Sequence, residues 1–503
     1  MTMIPAKRGI FGKLVRSCCA VPMFLLLFFV PVYSEQLLST EDLRIEVSLS
    51  DVQISPDGKR AVFIVSRLDY QSDSSKSELV LIELESGHQK TLSRQKGIFE
   101  PSWSPSGDKI SFLAETAKGA QIFVMSPEST NAQQITQVDG GILRHTWAPD
   151  GMRFALIAQE APPTKTGLQK FNDSFEVGSN SYLTTEPAAR NYAAITGVDG
   201  GKIQRITPKD LTIATDFYNS SLSWFLDGSK LAINIYPSSR SGDSDLGRVH
   251  LLEVANGSLL PVTSLNGQMG PGMISADGNQ VLFSYPRDGV PANESEVYAV
   301  DIKGGESKSL TRALDREITQ FVSLTNGRLL VAGYDGLKSA LWLTTSPDNF
   351  TALDLGEVME LLEFSANKNG NIAFIGEEKY RPAELYFKNS VDAKPKCVTA
   401  FNQEIADRKQ GVREGFSWKS TNGFEPDGVV TYPPDFKTDG KYPLVLLIHG
   451  GPTAISSLGF HMLAQLMAAR GWIVFEPNYR GSNGRGNAFE SAIANDAGEG
   501  PGQ

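Results

Sequence analysis

The sequence predicts two fold classes in succession: an all-β, seven-bladed propeller, then the opening units of a doubly wound α/β sheet. Three observations predict this. A turn of the Ser-Pro-Asp-Gly kind recurs between short apolar runs through most of the chain. A continuous apolar run, Leu444 to Ile448, then stops abruptly at His449-Gly450-Gly451-Pro452. A helical stretch and a second apolar run, Trp472 to Phe475, follow it and lead into another glycine-rich loop.

The repeats come first. Pro56-Asp57-Gly58, Pro105-Ser106-Gly107, Pro149-Asp150-Gly151, Leu226-Asp227-Gly228 and Ala276-Asp277-Gly278 each precede an apolar stretch. Weaker copies turn at Asn326-Gly327 and Asn369-Gly370. Proline fixes φ early in such a turn, and glycine accepts the positive φ that closes it. The flanking alternation of apolar residues makes each copy a hairpin. A further apolar stretch follows most copies, such as Leu79 to Ile82 and Ile122 to Met125, giving four strands per repeat. The turn glycines mostly recur at roughly 40–50 residues, the period of a propeller blade. Seven copies place a seven-bladed propeller with TolB/WD40-like repeats at residues 51–405. Trp103, Trp147 and Trp224 hold equivalent places in their repeats and are expected to pack between blades. The interval from Gly151 to Gly228 is too long, which predicts an insertion around 162–205.

Composition and the N-terminus bound the rest. Hydrophobic residues make up 41% and charged residues 21%, so the chain buries sizeable cores. A net charge of −10, with no basic block outside the N-terminus, argues against nucleic acid as a partner. Residues 1–34 read as a signal peptide. Lys7, Arg8, Lys13 and Arg16 precede an apolar core from Ala20 to Val32, with small residues at the cleavage positions. That core is shorter than the roughly 20 residues a membrane span needs. The expected product is secreted or periplasmic, with no membrane attachment after cleavage. Residues 35–50 form an N-terminal segment with a short helix from Thr40 to Val47. After cleavage Cys397 is the remaining cysteine, expected as a packed or half-buried thiol.

The C-terminal part carries the chemistry. Leu444 to Ile448 suits a strand buried on both faces of a parallel sheet. Glycines after such a strand turn the backbone sharply and leave N–H groups pointing outward. Ser457 to Arg470 reads as a helix stopped by Gly471, and Trp472 to Phe475 as a second buried strand. Strand, loop, helix, strand is a βαβ unit. His449 to Pro452, Pro477 to Ser482, and the lead-in Phe416-Ser417-Trp418-Lys419-Ser420 through Gly428 to Pro434 together resemble the prolyl oligopeptidase family of serine peptidases. The likeness is to its acylaminoacyl-peptidase and dipeptidyl-peptidase-like branch.

That resemblance implies an α/β-hydrolase domain, of which residues 411–503 are the incomplete N-terminal part. It implies peptide substrates and no cofactor. It makes Gly450 and Gly451 the oxyanion-hole donors on a loop shaped by His449 and Pro452. Arg480 is a candidate substrate contact, with an internal ion pair as the rival reading. No metal-ligand spacing appears. The family's nucleophile belongs to a later Gly-x-Ser-x-Gly elbow, followed by an aspartate and a histidine. No Gly-x-Ser-x-Gly occurs here, and no histidine follows His461. The resemblance therefore places the triad beyond Gln503, and the expectation is a chain that lacks it and is inactive alone. Relatives of dipeptidyl-peptidase type hold the substrate's amino terminus with paired glutamates from the propeller. Glu377-Glu378 does not match that position and reads as a solvated blade loop. The repeats taken alone also resemble TolB-type binding propellers, so a binding protein or pseudoenzyme is the alternative.

Overall fold

The computed structural model describes residues 36–499 except 162–163, 172–188, 216–219, 268, 326, 347, 421–422, 452 and 497. The expected signal peptide lies outside the described residues, as do Pro452 and Gln503. Among the described residues no helix is long and apolar enough to cross a membrane.

Among the described residues, seven four-stranded sheets follow one another along the chain, each an antiparallel meander in sequence order. The first comprises Val47–Ile54, Arg60–Asp69, Ser74–Glu83 and Gln89–Ser93. The seventh comprises Val358–Ala366, Ile372–Glu378, Glu384–Lys388 and Lys396–Cys397. The turn glycines explain the recurrence. All seven, from Gly58 to Gly370, have φ between 67° and 84°, where an L side chain is strained. The Ser and Asp of the motif finish the turn. Ser55 Oγ donates to Asp57 Oδ1 at 2.6 Å and accepts from the Arg60 N–H at 3.0 Å. Ser275, Asp277 and Gln280 repeat the arrangement.

The central strands read as nearly continuous apolar runs because both their faces are buried. Ala61, Phe63 and Val65 point one way into a cluster with Ala373, Ile375 and Leu385 of the seventh sheet. Val62 and Ile64 point the other way, against Ile110 and Phe112 of the second sheet. The same alternation joins each sheet to the next. Trp103, Trp147 and Trp224 are buried in these clusters, as expected of core residues. Trp103 Nε1 also donates to Gln53 O of the preceding sheet at 3.0 Å.

Several boundaries differ from expectation. The first sheet begins at Val47, ahead of the expected 51, because Val47 and Leu49 are buried while Ser48 and Ser50 are exposed. The N-terminal helix is a 3-10 turn, Thr40–Arg44, fixed by a capping box between Ser39 and Asp42. The expected insertion is shorter than 162–205, since Asn191–Gly197 and Gln204–Arg205 are strands of the third sheet. Its segment around Phe175 to Leu183 lies outside the described residues. Cys397 is exposed, not packed, because it sits on the short last strand of the seventh sheet.

An eighth sheet follows, in the order Val412–Ser417, Asp427–Tyr432, Ile473–Asn478, Leu444–Leu446. The last two are parallel, and the helix Met462–Ala469 connects them, as the βαβ reading requires. This helix starts later than Ser457. Leu458 N–H is instead bonded to Leu337 O of the sixth sheet at 2.8 Å, and His461 is extended at the helix start. Gly471, with φ 84°, ends it. Ile473–Asn478 is paired on both sides, whereas Leu444–Leu446 is an edge strand. Leu444 and Ile448, expected buried on both faces, are 66% and 59% exposed there.

Candidate active-site loop

The strand Leu444–Leu446 delivers His449, Gly450 and Gly451 to one end of the eighth sheet. Gly450 and Gly451 are exposed, and neither backbone N–H has an acceptor among the described residues. Gly451 sits at φ 130°, and a Cβ there would lie 2.7 Å from Thr453 N. Only glycine takes this path without displacing the loop. A Cβ on Gly450 would meet nothing within 4 Å. These are the two amides that the sequence reading makes oxyanion-hole donors.

The loop after the next strand braces the first. Tyr479 Oη donates to His449 O at 2.9 Å, and the two rings stack with centroids 4.6 Å apart. His449 Nδ1 lies 2.8 Å from Gly450 O, and Nε2 lies 3.0 Å from Ser482 Oγ. His449 thus shapes the loop. Asn478, fully buried, accepts from Ser456 N–H at 2.7 Å and donates to Ser456 O at 3.0 Å and Asp427 Oδ1 at 2.9 Å. Arg480 donates to Asp496 at 2.5 Å, the internal pair that competes with substrate contact. Asn478, Tyr479, Arg480 and Ser482 therefore each have a partner that fixes the loop.

A buried ion pair supports the other side. Arg413, only 1% exposed, donates to Glu476 at 2.8 Å, to Thr431 Oγ1 and to Ser457 O, both at 2.9 Å. The other Glu476 oxygen lies 2.6 Å from His461 Nδ1. Burial alone would raise the Glu476 pKa, but the His461 hydrogen bond and Arg413 hold it below the usual carboxylate range. Arg413 and Glu476 carry no sequence signal of their own, since the contact joins strands that are not adjacent in the chain.

The seventh sheet reaches into the same place. Glu360 accepts from Tyr334 Oη at 3.1 Å and from Ser457 Oγ. A cavity of about 340 Å³ lies between them, lined by Glu360, Arg413, His449, Ser457, His461 and Glu476 among others. Glu377 is not in a solvated blade loop. It lies near the end of the strand Ile372–Glu378, and burial together with the Glu360 charge pushes its pKa up to about 8. Glu378 accepts instead from Tyr386 Oη at 2.9 Å. The sequence hides this because the neighbours of Glu377 lie far from it along the chain.

Known proteins resemble this chain in sequence and in fold. A model of the prolyl oligopeptidase family matches residues 458–501. The chain is 25% identical to dipeptidyl-peptidase 5 of Porphyromonas gingivalis over 481 residues, covering 90% of this chain and 69% of that protein. It is 23% identical to the uncharacterized peptidase YuxL of Bacillus subtilis over 500 residues, covering 92% and 74%. The acylaminoacyl peptidase of Pyrococcus horikoshii has a similar fold, with a TM-score of 0.73 at 20% identity, covering 93% of this chain and 70% of that one. The family model spans the helix Met462–Ala469 and the loop whose Tyr479 and Ser482 hold His449. The family match, the sequence relatives and the fold neighbours all point to the prolyl oligopeptidase family of serine peptidases.

Proposed function

We propose that these residues form the propeller and the oxyanion-hole side of an exported, dipeptidyl-peptidase-like enzyme that hydrolyses peptides. The seven sheets are then blades of a closed propeller, running from Val47 to about residue 405, and the hydrolase domain starts near 411. In support, the first and seventh sheets share one apolar cluster. The propeller gates the hydrolase cleft, as its contacts through Glu360 and Leu337 suggest. Residues 1–34 direct export.

The observation that carries the reading is the pair of exposed amides at Gly450 and Gly451, which follow His449, itself held by Tyr479 and Ser482. In acyl transfer to serine, negative charge grows on the peptide carbonyl oxygen as the tetrahedral intermediate forms. A fixed amide donor stabilises that charge without reorganising, and losing one costs roughly 2.7–4 kcal/mol in the transition state. The nucleophile requires an elbow of the Gly-x-Ser-x-Gly type, which these residues do not contain. They supply half of the oxyanion hole and the walls of the cleft, not the serine.

A serine-reactive fluorophosphonate tests this. It should label the product of the whole reading frame and leave residues 1–503 alone unlabelled. Labelling of these residues by themselves, or no peptide release by the whole product, would overturn the proposal and favour a binding propeller.

A further inference from the structure

A second contact joins the eighth sheet's module to the repeated sheets, and it is rich in carboxyl groups. The turn Asn487–Glu490 sits against the fifth and sixth sheets. Asn487 Oδ1 accepts from the Glu294 N–H at 2.9 Å, and its Nδ2 lies 3.4 Å from Asn293 Oδ1. Asn487 N–H donates to Asp315 at 3.3 Å. The approach at Gly486 is close: a Cβ there would lie 2.5 Å from Asp315 Oδ2.

Three carboxyls meet at this contact from separate elements: Glu294 on the repeated sheets, Glu317 before the sixth sheet, and Glu490 on the turn. Glu294 is fully buried and Glu490 is 1% exposed. Glu294 Oε1 and Glu490 Oε2 have no hydrogen-bond partner among the described residues. Glu317 accepts the Ser295 N–H. Glu317 and Glu490 also line one cavity of about 320 Å³.

The cations nearby are already matched. Arg287 pairs with Glu296 at 2.6 Å and Asp315 at 2.9 Å, reaching Glu294 only at 3.5 Å. Arg312 pairs with Asp288 at 2.8 Å and with Glu296. Arg316 pairs with Asp335 at 2.8 Å. Glu294, Glu317 and Glu490 are therefore surplus acids in a buried contact. Burial and the neighbouring carboxylates both oppose ionisation, so the closed contact favours the protonated forms.

We propose that Glu294, Glu317 and Glu490 form a pH-sensitive latch, which holds the turn Asn487–Glu490 on the repeated sheets while protonated and releases it when ionised. Burial first, then the neighbouring carboxylates, push Glu294 up to about 8 and Glu490 up to about 9. Burial raises Glu317 to about 7. On release these groups return towards the ordinary value of 4.5. A pKa raised in the closed state gives stabilisation that is complete below the open-state value. It is lost as pH rises through the closed-state values. The latch thus weakens progressively from about pH 5 to about pH 9. It acts without any catalytic residue, so its failure leaves the peptidase reading untouched.

Hydrogen–deuterium exchange of residues 1–503 tests it, with rates corrected for the intrinsic effect of pH. Protection of peptides covering 486–493 should fall at least tenfold between pH 6 and 9.5, relative to a peptide from the strand Arg60–Asp69. Glu490→Gln mimics the protonated acid and should abolish most of that fall. If Glu490→Gln does not fold, Glu317→Gln tests the same cluster from the opposite side. No fall in the unsubstituted protein, or the same fall in the folded variant, would overturn the proposal.

Discussion

Asn402 clasps the backbone of Val47 in both directions: its Oδ1 accepts from Val47 N–H and its Nδ2 donates to Val47 O, each at 2.9 Å. The same amide donates to Ala383 O at 2.8 Å. One buried side chain thus ties the first strand of the first sheet to the segment leaving the seventh. Asn402→Ala strands three buried backbone groups, each costing about 1–3 kcal/mol unpaired, partly relieved by relaxation. A loss of about 3 kcal/mol is expected. Asn402→Asp should also destabilise, since a carboxylate supplies no donor. The urea midpoint of each variant checks this, and midpoints within experimental scatter of the parent would refute it.

The glycines of the proposed oxyanion loop should behave differently from one another. Gly451→Ala places a methyl group against Thr453 N and requires φ near 130° of an L residue. Gly450→Ala meets no neighbour. In the whole enzyme, Gly451→Ala should lower kcat by about 10²–10³, the loss associated with an oxyanion donor. Gly450→Ala should keep most of kcat. Peptide-release kinetics decide it, and equal effects of the two would remove the loop from the oxyanion hole.

Much of this was legible in the sequence. Turn glycines at 58, 107, 151, 228, 278, 327 and 370 all take positive φ, because a tight turn imposes its demand locally. Gly451, with φ 130°, joins them. The roles of Asn402, Glu360, Glu377 and Arg413 were not. Their partners lie far away along the chain, and no spacing encodes a contact between separate elements. Leu444 and Ile448 are exposed because Leu444–Leu446 has one neighbouring strand among the described residues, and an apolar run looks alike in a central and an edge strand.

Arg413 and Glu476 predict an acid limit to stability. Glu476→Ala leaves Arg413 buried and uncompensated, which typically costs about 3–5 kcal/mol. The sign of the pH effect follows from the lowered pKa of Glu476. A depressed carboxylate contributes stability that is present above its unfolded pKa and lost as pH falls through the folded one. Below about pH 4.5 the parent should lose stability faster than Glu476→Ala does. Thermal midpoints from pH 3 to 7 check this, and parallel curves would show that the pair contributes nothing on acidification.

Export should be visible in the mature N-terminus. The basic stretch followed by Ala20 to Val32 predicts cleavage that leaves a chain starting near Glu35. N-terminal sequencing of the exported protein measures it directly. A retained Met1 in a membrane fraction would replace cleavage with anchoring.

The Asn402 clasp also sets where the seven repeated sheets can be cut from the rest. A fragment of residues 36–405 keeps Val47 to Ser50, the clasp, and the apolar cluster of the first and seventh sheets. Sheets of this kind bury their faces on their neighbours, so stability lies in the contacts between repeats. The fragment should be soluble, rich in β structure by circular dichroism, and cooperative on heating. A fragment of residues 51–405 begins inside the first strand. It lacks Val47 and Leu49, which are 5% and 6% exposed in the intact chain. Burying each such side chain contributes about 1.5–3 kcal/mol, and Asn402 loses both of its bonds to Val47. The shorter fragment should melt well below the longer one or aggregate. Equal melting temperatures would place the first sheet's start at 51 and leave the clasp without a structural role.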